Sequence, residues 1–115
     1  MADEERQIII PRYKMITTFD IIPSTQEGYY QFILGEMVPA LQEMGVYMTE
    51  AWHTAYGAYP LRMVSFVTED LDTIEELLGS ERWSELESRL LSYVENYTRT
   101  VVTYRQGFQF IRNPN

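Results

Sequence analysis

Apolar and polar positions along the chain switch between two periods, and the switches lay out its elements. From Tyr13 to Ile22 the residues are rich in β-branched and aromatic types and close on Pro23, which predicts a strand. Apolar residues next recur at Tyr30, Ile33, Leu34, Met37, Leu41 and Met44, the spacing of one helix face. Ser24 or Thr25 can cap this helix, with Glu27 placed for a capping box, and Gly45 ends it. Pro39 falls inside it and removes a backbone donor. The residue four positions back is Gly35, which adds no crowding, so a bend at Pro39 is expected rather than a stop.

Residues 46–54 and 59–68 read as two strands, with Ala55 to Ala58 turning between them and Gly57 free to take a positive φ. Glu69 to Asp72 opens a helix with Asp72 and Glu75 in capping-box spacing. Gly79-Ser80 breaks it, and Ser80 can cap a second, on which Trp83, Leu86, Leu90, Val94 and Tyr97 keep helical spacing. Thr98 to Ile111 is strand-like. The order is β-α-β-β-α-β, the ferredoxin-like arrangement: an α+β chain with an antiparallel four-stranded sheet and its helices on one side. One domain at 13–111 is expected, after a loose acidic lead at 1–12 and before a tail at 112–115.

With the hairpin turning at Tyr56-Gly57, one sheet face holds Met48, Glu50, Trp52, Tyr59, Leu61, Met63 and Val67. The other holds Tyr47, Thr49, Ala51, His53, Arg62, Val64 and Phe66. Both faces are apolar, whereas a sheet wetted on one side alternates cleanly. The simplest resolution is a homodimer in which two sheets face each other.

Composition narrows the chemistry. The chain has no cysteine and one histidine, which excludes disulfides, thiolate catalysis and a multi-histidine metal site within one chain. The net charge is −8 with nine scattered basic residues, against a nucleic-acid interface or an anionic membrane surface. No run of 18 apolar residues suggests a membrane span, and the acidic start does not read as a signal peptide, so a cytoplasmic location is expected. Glycines 28, 35 and 45 are isolated and make no phosphate loop. No serine–histidine–aspartate arrangement follows from spacing.

The stretch EAWHTAYGAYPLR, residues 50–62, gathers the rare residues. Histidine is the side-chain type whose ordinary pKa lies near neutrality, and His53 lies near a strand end. Glu50, if placed among apolar groups, would be an acid or base of raised pKa; the plain alternative is an ion pair with Arg62 or Arg105. Trp52, Tyr56 and Tyr59 can line a pocket or simply pack, as Trp83 more plainly does. Asp20 and Arg105, on the first and last strands, pair with each other or each bind a ligand of opposite charge.

The helix end Pro39-Ala40-Leu41-Gln42-Glu43-Met44-Gly45, Trp52 shortly before Gly57, the strand Met63-Val64-Ser65-Phe66-Val67, the acidic helix start and Glu81-Arg82-Trp83 resemble the dimeric α+β barrel superfamily, and within it NIPSNAP-like proteins. The resemblance spans about 13–111. It implies a homodimer whose two sheets form a barrel, with a cavity between sheet and helices in each subunit. Its relatives include cofactor-independent monooxygenases, haem enzymes and small cyclases and isomerases. An Arg-x-Tyr often found on the family's first strand is replaced here by Thr17-Thr18-Phe19-Asp20, so its role does not transfer. Haem relatives carry their axial histidine on a helix or the loop before it, not on the second strand, and no cofactor is expected.

Two readings follow. One is a small-molecule binder or enzyme, with His53 or Glu50 moving a proton and Trp52, Tyr56, Tyr59, Arg62, Asp20 and Arg105 around an apolar or aromatic ligand. The other is a non-catalytic homodimeric interaction module whose aromatic residues build the interface. By strict alternation Trp52 and His53 point to opposite faces.

Overall fold

The computed structural model describes residues 10–56 and 59–103, with backbone alone at 54–56 and 59–60. The hairpin loop at 57–58, Arg105 and any strand beyond Thr103 lie outside the described residues. Strand β1 (Tyr13–Ile21) alternates without a break, turning Met15, Thr17, Phe19 and Ile21 into the core. Helix α1 (Gln26–Phe32), a π turn (Ile33–Met37) and helix α2 (Val38–Glu43) follow as one continuous run. Then come β2 (Tyr47–Tyr56), β3 (Tyr59–Thr68), α3 (Leu71–Leu78), α4 (Glu81–Leu91) and β4 (Val94–Thr103). The sheet runs β2-β3-β1-β4 with antiparallel pairs, the α+β order expected from the sequence.

Pro39 is accommodated by the π turn. The N–H of Val38 reaches back five residues to the carbonyl of Ile33. Widening the ladder just before the proline relieves the clash a regular helix would impose. Gly35 is not the relief: a Cβ added there would meet nothing within 4 Å. The expected capping boxes are also replaced. Thr25 does not cap α1; its hydroxyl donates to the carbonyls of Ile22 (3.0 Å) and Tyr93 (2.9 Å), tying the helix start to the approach to β4. Asp70, not Asp72, sits at the N-cap of α3 and makes no side-chain cap bond. Ser80 does cap α4, accepting from the Trp83 N–H at 3.1 Å. Gly45 takes φ +86°, and the Val46 N–H returns to the Leu41 carbonyl, closing α2 in a Schellman turn.

The last helix is shorter than its periodicity suggests. The N–H groups of Ser92 and Tyr93 bond three residues back, to Arg89 and Leu90, and the helix closes there. Val94 and Tyr97 belong to β4, where Val94 pairs with Ile21 and still reaches the core. Helical and strand spacing both bring Val94 inward, which is why the pattern misassigned it.

Two bulges reset the strands. Between Thr18 and Asp20 of β1, β4 carries one extra residue, with Asn96 at φ 56°. Asparagine tolerates this conformation better than most residues. Between Met48 and Glu50, β2 carries an extra residue at Thr49. Tyr47 therefore sits opposite Val67, on the side of Glu50 and Trp52, while Met48 sits opposite Phe66 on the other. The expected faces hold from Glu50 onward and exchange these two residues before it.

The core lies between sheet and helices. Met15, Phe19, Val64 and Phe66 pack with Tyr29, Phe32, Met37 and Leu41 of the first helical run and with Ile74, Leu77, Trp83, Leu86 and Leu90 of α3 and α4. Each such side chain stabilises the fold by roughly 1.5–3 kcal/mol on burial.

Candidate functional site

The register sends the candidate residues to two sides of the sheet. Glu50 and Trp52 of β2 stand opposite Ser65 and Met63 of β3, and Ile16, Thr18 and Asp20 of β1 share their face. No described helix packs there. His53 stands opposite Arg62, on the face that carries Val64, Phe66 and the helices. Glu50 and His53 therefore do not converge.

On the open face Glu50 takes the Lys14 ammonium at 2.8 Å. Arg62, one partner expected for it, projects from the opposite face; Arg105, the other, is not described. The Ser65 hydroxyl, paired across the strands with Glu50, is fully buried and has no hydrogen-bond partner among the described residues. Asp20 accepts from the Asn96 side-chain amide at 2.8 Å, a bond the β4 bulge makes reachable; the expected Asp20–Arg105 pair lies outside the described residues. Around these polar pairs are large apolar groups in water: Trp52 is 58% exposed, Leu61 45% and Val102 37%.

On the helix face Arg62 is half-buried. Its Nη2 donates to the Tyr30 hydroxyl at 2.9 Å. The guanidinium lies 5.1 Å from the centre of the Tyr30 ring and 5.9 Å from that of Tyr29, within cation–π range. Burial raises the pKa of the Tyr29 phenol, and Arg62 beside it pulls the other way. Tyr29 also meets Phe19 edge-on at 5.6 Å. His53 is exposed at the edge of this group. Trp83, expected to be core, is core. The side chains of Tyr56 and Tyr59 lie outside the described residues, although the two residues pair across β2 and β3.

Three groups did not come forward from sequence: the Arg62–Tyr30–Tyr29 cluster, the Lys14–Glu50 pair, and a cluster at Glu87. Glu87 accepts from the Tyr97 hydroxyl at 2.7 Å and from Arg99 Nε at 2.9 Å. Burial first, then the Glu87 carboxylate, hold the Tyr97 phenol far above its ordinary pKa, so it stays a neutral donor. Arg89 grips Glu36 with both terminal nitrogens. The sheet order brings Lys14 to Glu50, helix-on-sheet packing brings Arg62 to Tyr30, and the last helix folding back on the next strand brings Glu87 to Tyr97 and Arg99.

The core side chains lie between sheet and helices. Depressions among the described residues include two on the outside of the fold. One of about 330 Å³ is lined by Ile10, Arg12, Tyr13, Glu69, Asp70 and Leu71, and a groove on α4 is lined by Ser84, Glu85, Ser88 and Arg89. Among the described residues no three acidic or histidine side chains group to hold a metal ion.

Solved structures share this architecture. A NIPSNAP domain protein from Burkholderia xenovorans superposes with a TM-score of 0.61 at 13% identity, covering 84% of this chain and 96% of that one. A NIPSNAP family protein from Agrobacterium tumefaciens gives 0.62 at 14%, covering 84% and 95%. The fold is NIPSNAP-like. A NIPSNAP-like domain protein from Burkholderia xenovorans gives 0.57 at 16%, covering 84% and 87%. No family model and no curated protein matches the chain. At these identities the NIPSNAP-like fold transfers and residue roles do not. No described helix is long and apolar enough to cross a membrane.

Proposed function

We propose that the chain is a homodimeric module of NIPSNAP-like fold, in which two copies close their open sheet faces on one another. The observation that carries this is the exposure of Trp52, Leu61 and Val102 on a sheet face that no described helix covers. Its size suits the role. Four strands of nine or ten residues, at roughly 3.4 Å rise and 4.8 Å spacing, present about 600 Å² before side-chain relief is counted. A stable pair buries about 800 Å² on each partner. Glu50 is paired with Lys14, whereas Asp20 is held by the neutral Asn96 amide and stands opposite Glu95, so closure keeps this acidic end of the face at a wet rim. In this reading Glu50, Trp52 and Asp20 serve the interface. His53 and Arg62, on the far side, are free for another task.

The two tryptophans supply a test. Trp83 is buried and constant, whereas Trp52 passes from a covered to a wet setting when the dimer separates. On dilution, emission should shift to the red and acrylamide quenching should rise, and Trp52→Phe should abolish both changes. Emission independent of concentration, with a readily quenched indole at high concentration, would sink the proposal.

A further inference from the structure

Among the described residues Arg62 has no counter-ion. Lys14, Arg89 and Arg99 each take a carboxylate, of Glu50, Glu36 and Glu87. The Nη2 of Arg62 instead meets a neutral phenol, and its Nε is screened from water with no described acceptor. A buried N–H without an acceptor is rare and calls for an explanation. The flanking hairpin, residues 54–60, contains no aspartate or glutamate, in a chain with 17 of them. The charge lies beside two tyrosine rings that meet each other edge-on, next to the Phe19–Tyr29 pair, where it interacts more strongly than in open water.

We propose that Arg62, Tyr30 and His53 form a binding site for a small carboxylate with an aromatic or aliphatic body. The guanidinium has further N–H donors to offer in fork geometry, the arrangement that suits a carboxylate. The Tyr30 hydroxyl accepts from Arg62 and keeps its own proton to donate to the ligand. His53, the cross-strand neighbour of Arg62 on the same face, supplies a further N–H at the rim. Leu34, 61% exposed and one turn beyond Tyr30, offers apolar surface for the ligand's body. Trp52, on the other face, takes no part. The site is independent of the sheet-face dimer, since it lies on the opposite side of β2 and β3.

The probe is phenylacetate, with phenylacetamide as its uncharged counterpart, titrated into the full chain and followed by calorimetry and by the NMR signals of its single imidazole. Phenylacetate should bind saturably and move the His53 signals, and the amide should bind at least tenfold more weakly. Arg62→Met should lose binding by tenfold or more. Arg62→Lys, which keeps the charge and loses the fork, should weaken it several-fold, as should Tyr30→Phe. Far-UV circular dichroism confirms that each variant is folded. If Arg62→Met does not fold, Arg62→Lys and the acid–amide comparison decide alone. Trp52→Glu should leave phenylacetate affinity unchanged, so failure of the dimer and failure of this site read separately. Equal affinity for acid and amide, undiminished binding by a folded Arg62 variant, or no saturable binding by the native chain would each overturn the proposal.

Discussion

Trp52→Glu should convert the protein from dimer to monomer without unfolding it. The indole is 58% exposed in the single chain, so folding of one copy draws little on it. Opposite Met63 on the open face, it has the size and position of an interface anchor. Truncating a tryptophan that anchors an interface typically costs at least 2 kcal/mol of association, roughly thirtyfold in Kd. Glutamate adds to that loss. A two-fold interface repeats every residue, so two new carboxylates face or approach one another across it. Each copy also carries −8 already, and their mutual repulsion is weakened only by salt. The expected result is a Kd raised at least a hundredfold, with a thermal midpoint equal to that of the native chain diluted below its own Kd. Sedimentation velocity across a concentration series measures the first and circular dichroism the second. A variant that remains dimeric at the native affinity would move the interface away from this face.

Phe19→Ala should remove a large share of the fold's stability while leaving the open face untouched. Phe19 is fully buried. It lies edge-on to Tyr29 at 5.6 Å and stacked on Tyr97 at 6.4 Å, so it joins the central strand β1 both to α1 and to β4. Removing a buried phenylalanine costs about 3–5 kcal/mol, as lost transfer energy and as the cavity left behind. The β-strands around it cannot slide inward to fill that space without breaking register with both neighbours. A domain of this size has a total stability of roughly 5–15 kcal/mol, so the variant gives up about a fifth or more. Urea unfolding should show a midpoint moved far down with an unchanged slope. A shift worth less than about 1 kcal/mol would mean that the β1–α1 contact is not central to the core.

How much of this can be seen in the chain alone depends on how local each feature is. Strand β1 announces itself through its run of β-branched and aromatic residues closing on Pro23, all within ten neighbouring positions. Ser80 announces its helix because a cap needs only the three residues that follow. The two bulges do not announce themselves: Thr49 and Asn96 are extra only relative to the strands they pair with. The bulge at Thr49 exchanges Tyr47 and Met48 between faces, a slip that alternation counting cannot detect. Val94 and Tyr97 fit a helical ladder and a strand equally well, and backbone bonds closing at Ser92 and Tyr93 decide between them. At Pro39 the sequence shows the difficulty, yet its remedy, a π turn one step earlier, is a property of the whole helix. The stretch at 50–62 stands out through rare residues, but the register divides it between two faces. Arg62 gains its meaning only from Tyr29 and Tyr30, some thirty residues away.

The central claim is that two copies of this chain meet through their open sheet faces. Sedimentation equilibrium of the native protein at micromolar concentration tests it most directly. The account predicts a mass twice the 13.6 kDa of the chain, falling toward 13.6 kDa on dilution and at all concentrations for Trp52→Glu. A native chain that sediments at 13.6 kDa throughout that range would contradict it.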